Sequence, residues 1–542
     1  MLRWIQKHHL VLILLLGLAF ALPLLNEHLV PAGDNSTYLV LAQSLATGQG
    51  YRMISDPRAP QMGLYPPGYS LLLAGVTLAT STTANLLEAI LPSKILSVFL
   101  YLATVALVYL LLLPRSRLLA ALTALAAAVN PAILHFATEV GTELPYLLLS
   151  LACLWAYDRY VRRESWRQLG LTALLIVLAF YVRSIALAIA VALALHLVLR
   201  RRFGQATVLL LVVGVLVLPW FVRGASLPDT GTSVGLGRGY FDLYFTSDPY
   251  GTAPASLSDW TTRLLQNVSS YVLDIWPNTV FPHASRLVSL LGTGGTILVS
   301  LITVLIAYGY VLELKRRSAT EWYAGLFFLS CVTYMWAQSR LIVPIIPFAI
   351  YYLFVAAQHL LERLVFRPAA ARPASDSTKA TPRERTTGLV LGLGCAVLVA
   401  SALVVEVRRV QTNVWYGWHQ PLQVYYSPDP EWDHYLQAME WIKANGEASS
   451  IVMCRKADLM YIVTGLQALE YPYSYEPADL KSAIADNKVD YLIEDAFSWT
   501  GTTTLYLQPA LSAWQQAEPQ ALSMMFETEA PVTRVWRSEK PN

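Results

Sequence analysis

Ala206-Thr-Val-Leu-Leu-Leu-Val-Val-Gly-Val-Leu-Val-Leu-Pro-Trp-Phe-Val-Arg223 is the stretch that decides the fold. No charge occurs in it before Arg223, and Arg200, Arg201 and Arg202 stand just ahead of it. Coiled as a helix at ~1.5 Å per residue it reaches about 27 Å, close to the ~30 Å hydrocarbon core of a bilayer. Lipid offers no partner to backbone N–H and C=O groups, so a run this apolar crosses it as a helix. The same reading applies outward to 9–27, 90–113, 118–135, 142–159, 168–182, 184–199, 287–312, 322–337, 341–361 and 387–405. The chain is thus expected to be a polytopic α-helical membrane protein with about eleven transmembrane helices.

The composition agrees. Only 14% of the 542 residues are charged, 55% are hydrophobic and the mean hydropathy is +0.45, whereas soluble domains carry about 25% charged residues. A net charge of +3 is too small to suggest nucleic acid as a partner. Fifteen Trp and 30 Tyr suit a long membrane–water interface. Of the four cysteines, Cys153, Cys331 and Cys395 sit in apolar runs and Cys454 lies in the tail, so no disulfide framework is implied. Met1-Leu2-Arg3 ahead of an apolar run could open a signal peptide. Pro23 to His28 is a poor cleavage site, however, and 9–27 reads as a span.

Lys and Arg in the connecting loops set the orientation. With the N-terminus cytoplasmic, the inner segments hold twenty basic residues, among them Arg115, Arg159 to Arg167, Lys315 to Arg317 and Arg363 to Arg385. The outer loops hold nine. An odd number of spans then puts the C-terminal domain outside, in a multi-pass protein of the cell (plasma or inner) membrane. We divide the chain into a membrane module, 1–405, and an extracytoplasmic α/β domain, 406–542. The module carries long outer loops at 28–89 and 224–286 and a cytoplasmic linker at 366–385. Within the first loop, Ser70 to Thr80 is apolar but too short to span, and reads as an interfacial or re-entrant helix. In the tail, Pro430 to Ala444 and Glu476 to Asn487 read as helices, Ser450 to Cys454 and Val489 to Ile493 as strands. Ser523 to Glu529 and Val532 to Arg537 read as a closing hairpin. Trp415-Tyr416-Gly417-Trp418-His419 reads as an aromatic membrane anchor.

The first outer loop opens with Gly33-Asp34-Asn35, continues as a helical pattern to Leu45, and then runs through Gly48-Gln49-Gly50-Tyr51 to Tyr65-Pro66-Pro67-Gly68-Tyr69. Thr142-Glu143-Leu144-Pro145-Tyr146 enters the fourth span and Arg340-Leu-Ile-Val-Pro344-Ile-Ile-Pro347 the tenth. In order and in their common outer face, these motifs resemble the GT-C superfamily of glycosyltransferases, in particular its protein O-mannosyltransferase and aminoarabinose transferase branch. The resemblance covers roughly 10–360 and is strongest at 33–75. It implies transfer of a sugar from a polyprenyl-phosphate carrier to a hydroxyl of a lipid, glycan or protein acceptor on the extracytoplasmic face, amid membrane lipids. The absence of a nucleotide-binding fingerprint fits such a donor. Asp34 matches the proposed catalytic base, and Glu143 the acidic residue of the second outer loop. Asn35 stands where that branch often has an acid, so no metal ligand is assigned, and a divalent metal is left open.

Each candidate also has a plainer reading. Asp34 is a good N-cap for the helix that follows it. Glu143, with Glu139 a turn before it, suits the positive end of a helix dipole. Arg183 and Arg340, at the outer edge, are candidates for the carrier phosphate or simple interfacial anchors. Tyr65 and Arg58, in the first outer loop, are further substrate-binding candidates. A lone interfacial histidine such as His135 or His283 is more often structural than a metal ligand. The rival function is a transporter or flippase of envelope lipids or glycans. Such proteins tend to show internal repeats and helices broken at mid-membrane, neither of which the sequence displays.

Overall fold

In the computed structural model, residues 2–31, 33–227, 245–247, 253–365, 382–419, 429–499 and 501–538 are described. The eleven segments expected to span fall mostly on helix, with 25–27 and 334–337 the longest stretches outside it. They are α1 (Leu2–Ala21), then, after α2 (Asn35–Ala46) and α3 (Gly68–Ala79) in the first outer loop, α4 (Ile90–Leu112), α5 (Arg117–Ala128) with α6 (Pro131–Ala137), α7 (Glu143–Arg163), α8 (Trp166–Val182), α9 (Leu187–Leu199) and α10 (Phe203–Ala225). The described part of 224–286 carries a bridge between Thr246 and Pro254 and the helices α11 (Leu257–Ser270) and α12 (Trp276–Val280), with α13 (Ala284–Leu291) following. The membrane part ends with α14 (Thr293–Leu314), α15 (Ala319–Thr333), a 3-10 turn at Ser339–Ile345 running into α16 (Ile346–Leu360), and α17 (Pro382–His419). Residues 366–381 of the expected linker, and Arg238 in the second loop, lie outside the described residues.

Among the described helices, five are long and apolar enough to cross a membrane by themselves. A sixth arises if α5 and α6, bent by 59° at Asn130-Pro131, make one span. The bend has a local cause: Asn130 accepts hydrogen bonds from the N–H groups of Ala132 and Ile133, and Pro131 starts the new helix. Burial then sorts the helices. Ser339–Arg363 is 78% buried over its apolar window, whereas Phe203–Ala225, Thr293–Leu314 and Arg385–Val414 are 22–28% buried. The peripheral helices turn outward Leu211, Val215 and Leu218 on α10, Ile297 and Val304 on α14, and Leu389, Leu393 and Val397 on α17. An apolar perimeter of this extent is untenable in water. The chain is a multi-pass membrane protein.

Close helix crossings need small residues. A Cβ on Gly309 of α14 would meet the Tyr352 carbonyl of α16, and one on Gly68 would lie 2.6 Å from the Tyr181 carbonyl. At one end of the bundle Arg115 donates to Glu321 (2.6 Å), Glu313 (3.1 Å) and Ser318 (2.8 Å). Arg316 and the Tyr351 hydroxyl complete the shell around Glu313.

Helix α17 runs unbroken through residue 405, where the sequence reading sets the domain limit, to His419. At ~1.5 Å per residue its 38 residues reach about 57 Å, well beyond a bilayer core; the side chains of 415–419 lie outside the described residues. The tail then holds α18 (Pro430–Asn445), β1 (Val452–Met453), α19 (Ala457–Thr464), β2 (Ala468–Leu469), α20 (Pro477–Asp486), β3 (Tyr491–Glu494), α21 (Gln508–Ala517), β4 (Leu522–Glu527) and β5 (Arg534–Ser538). The sheet order is β2-β1-β3-β5-β4. The first three strands are parallel and β3-β5-β4 antiparallel, so the expected hairpin is present as β4–β5. Alternation along the strands covers both faces. Val452, Tyr491 and Ile493 join the core that continues into the helix bundle, while Met453 and Leu492 pack with Leu480 and Leu511 on the other side. The short β2, α19 and α21 were not expected from the sequence.

Candidate active site

Asp34 ends the connection that follows α1 and stands at the N-cap position of α2. Its carboxylate does not cap the helix. Instead, Oδ1 accepts from the Tyr65 hydroxyl (2.9 Å) and Oδ2 from Nη2 of Arg340 (2.9 Å). The capping reading therefore does not describe what this side chain does. Gly33, with its left-handed backbone (φ +83°), suits the turn that leads into Asp34, and the Arg340 guanidinium lies at ordinary contact distance from it.

Arg340 reaches a second acid. Its Nε donates to Oε1 of Glu143 (3.1 Å), and the same oxygen accepts from Nη1 of Arg183 (2.6 Å), which also bonds the Thr142 hydroxyl. Glu143 opens α7, Arg183 ends α8, and Arg340 lies in the turn before α16. The helix ends at this face of the bundle thus deliver two carboxylates and two guanidiniums into one network of zero formal charge. Glu143 is buried, but about a quarter of the Asp34 and Arg340 side chains is exposed. Burial works to raise the Asp34 pKa; Arg340, the Tyr65 hydroxyl and the more distant Lys456 outweigh it and hold the carboxyl below its ordinary range.

The Tyr65-Pro66-Pro67-Gly68-Tyr69 motif is the bracket of this network. Tyr65 holds Asp34, and the Tyr69 hydroxyl accepts from the N–H of Gly141 (2.8 Å), two residues before Glu143. Both rings pack against Tyr38 of α2, with centroids 5.2 Å apart in each case. Gly141 admits the Glu143 carboxylate, since a Cβ there would lie 2.7 Å from it. Sequence reasoning quoted Tyr69 without giving it a role; its spacing of four from Tyr65 was the available signal.

Beside the network is a cavity of about 520 Å³ lined by Gly33, Asn35, Tyr38, His135, Glu139, Glu143, Gln338 and Arg340, with apolar walls at Val30, Ala132, Phe136 and Val140. Glu139 faces it, 3.5 Å from the buried Lys94, which also donates to Asn26 and to the His28 carbonyl. Six of the seven candidates (Asp34, Glu143, Arg183, Arg340, Tyr65 and Glu139) therefore gather here. Arg58 does not: it is held by Asp56 at 2.6 Å within its own loop. Among the described residues no group of three or more His, Cys, Asp and Glu is arranged to hold a metal. Both acids of the network already accept from Arg340, an arrangement that does not fit a shared divalent ion.

No family model matches the chain, and no curated protein matches it in sequence. Solved structures do. The oligosaccharyltransferase AglB from Archaeoglobus fulgidus, in complex with an inhibitory peptide and a dolichol-phosphate, superposes with a TM-score of 0.53 at 12% identity, over 99% of this chain and 75% of that one. ArnT from Cupriavidus metallidurans bound to undecaprenyl phosphate gives 0.56 at 11% identity, over 98% of both. Its apo form gives 0.55. The chain has the GT-C fold. The likeness extends through the C-terminal tail as well as the helices. At 11–12% identity the likeness is one of architecture.

Proposed function

We propose that the chain is a membrane glycosyltransferase that moves a sugar from a polyprenyl-phosphate carrier to a hydroxyl of a lipid, glycan or protein acceptor on the extracytoplasmic face. The observation that carries the reading is Arg340 donating to both Asp34 and Glu143 beside an open cavity. Two structures of this fold hold polyprenyl phosphates, dolichol-phosphate in AglB and undecaprenyl phosphate in ArnT, which supports the same class of donor here. The topology belongs to the same proposal: eleven spans, N-terminus cytoplasmic, 406–542 outside.

In this reading the carrier phosphate competes with the two carboxylates for Arg340. Glu143, held by Arg183, keeps the guanidinium nearby when Asp34 releases it. Asp34 then regains basicity at the moment the donor is bound. The acceptor hydroxyl gives its proton to Asp34 as its oxygen bonds to the anomeric carbon. The bond from that carbon to the phosphate oxygen breaks with its electron pair, and Arg340 and Arg183 meet the charge on the departing polyprenyl phosphate. A single displacement of this kind inverts the anomeric carbon. Tyr65 keeps Asp34 aimed, and Glu139 offers the cavity a second acceptor for hydroxyl groups.

The test is transfer by the purified chain in lipid nanodiscs. Transfer is expected from a polyprenyl-phosphate sugar; transfer from a nucleotide sugar with no lipid carrier present would overturn the reading. Orientation is tested with an impermeant thiol reagent on intact cells whose outer layer is permeabilised. The exposed position in Ser449→Cys should label and that in Arg163→Cys should not.

A further inference from the structure

The tail does more than follow the last span. Helix α19 and the residue before it press onto the loop that carries Asp34. Lys456 Nζ donates to the carbonyl of Gly33 at 2.9 Å, across 423 residues of sequence. Two residues on, Asp458 accepts from the Thr37 hydroxyl (2.6 Å) and the Ser55 hydroxyl (2.7 Å). The Tyr461 hydroxyl donates to Gln43 (3.1 Å), and the N–H of Ala468 to the Ser55 carbonyl (2.8 Å). Behind Lys456 the backbone is fixed, since its own N–H donates to the buried Tyr435 hydroxyl. The arrangement is a clasp of four side-chain contacts and one backbone contact, with the ammonium at its tip.

We propose that Lys456 is a positioning residue for Asp34: it pins the Gly33 turn and supplies the cation that keeps the Asp34 carboxylate ionised while Arg340 is engaged by the donor phosphate. This rests on the glycosyltransferase reading above. The argument is one of charge. In the free protein Asp34 has Arg340 on one oxygen and Tyr65 on the other. A phosphate that draws Arg340 away removes its strongest partner and adds a negative charge nearby. Both changes, with partial burial, favour a protonated and useless carboxyl. Lys456 faces Asp34 from the tail with its ammonium bound to the Gly33 carbonyl, where Asp34, Asp458 and Glu470 favour its charge against burial and the neighbouring Arg455. Its ammonium therefore stays where the carboxylate needs it. The C-terminal domain is on this account part of the transfer site, and not only an appendage.

A residue that merely fastened the domain would give a different set of results. The full-length chain in nanodiscs is assayed with a polyprenyl-phosphate sugar, and kcat is followed against pH, since kcat reports the ionisations of the bound complex. Lys456→Met is expected to lower kcat about 10- to 100-fold at neutral pH with donor KM within about threefold. The acid limb of its kcat profile should move up by about one pH unit or more, the size of effect one nearby opposite charge has on a carboxyl. Lys456→Arg should restore both. Tyr461→Phe, which loosens the same clasp away from Gly33, should leave kcat and the limb in place. A Lys456→Met profile with an unmoved acid limb would overturn the proposal, whatever its effect on kcat, because loss of folded protein scales the profile without shifting it. The two readings fail separately. If Asp34→Asn abolishes transfer while Lys456→Met keeps the wild-type profile, the function stands and this inference falls; if the wild type takes no sugar from the lipid carrier, the function itself falls.

Discussion

The two ends of the helix bundle hold networks of the same composition, two acids and two arginines. At one end Arg115 and Arg316 serve Glu313 and Glu321; at the other Arg340 and Arg183 serve Asp34 and Glu143. In the first, the acids are sealed: Glu313 and Glu321 are 3% and 0% exposed, and Ser318 and Tyr351 take up remaining bonds, while Arg316 reaches outward at 55% exposed. The second is left partly open, with Asp34 25% and Arg340 29% exposed beside a cavity. Charge pairing by itself does not mark an active site. What separates the two ends is an accessible carboxylate beside a cavity, where a ligand anion can exchange with it: Asp34 is one, and Glu313 and Glu321 are not.

The comparison is broken most directly at the outer acid. Asp34→Asn keeps size and removes basicity, so kcat for transfer should fall about 10²- to 10⁴-fold, with donor KM equal to or below that of the wild type because a competitor for Arg340 is gone. A turnover assay near the wild-type rate would move the base to Glu143. Arg340→Lys comes next. An ammonium cannot reproduce the fixed geometry of Nε on one acid and Nη2 on the other. Loss of one charge-assisted bond, about 1.5–3 kcal/mol, lowers kcat/KM by roughly 10- to 100-fold. Arg115→Met attacks the closed network and should be read by melting temperature instead. It leaves the buried Glu321 without its cation and Glu313 with Arg316 alone, a loss of about 3–5 kcal/mol of stability, while turnover per folded molecule stays near wild type. Asp56→Asn, in the same loop as Asp34 but paired only with Arg58, is the smallest: turnover should change by no more than about threefold.

Acidity sharpens the same contrast. Because Arg340 and Tyr65 hold the Asp34 pKa below its ordinary value against the upward push of burial, this pairing stabilises the fold at pH above the unfolded-state value, about 3.9. It is lost as pH falls through the lower folded value. In Arg340→Met burial is less opposed, and the acid limb of kcat/KM, which reports the free enzyme, moves to higher pH.

Much of this was legible in the sequence, and the reason is the membrane. Runs such as Ala206–Arg223 read as membrane helices, and where apolar helices run back and forth their polar tips gather at the two ends of the bundle. Asp34, Glu143, Arg183 and Arg340 were expected at one of them, and the structure brings them together there; the motif order singles out Asp34 and Glu143. What stayed hidden is what no helix parity constrains. Lys456 meets Gly33 through a loop of the tail, and nothing in Arg455-Lys456-Ala457 signals it. Arg58 had the right loop and charge, but Asp56, two residues away, takes its guanidinium. β1 and β3 were readable as short β-type runs, whereas β2, two residues long, is too short to carry a signal.

Native mass spectrometry with undecaprenyl phosphate as the probe separates the two ends in one experiment, comparing wild type, Arg340→Met and Arg115→Met in the same detergent. The account predicts that wild type and Arg115→Met retain the lipid equally. Arg340→Met should bind it at least about tenfold more weakly, the loss expected for one charge-assisted contact to phosphate. Equal retention by all three proteins, or a loss confined to Arg115→Met, would contradict it.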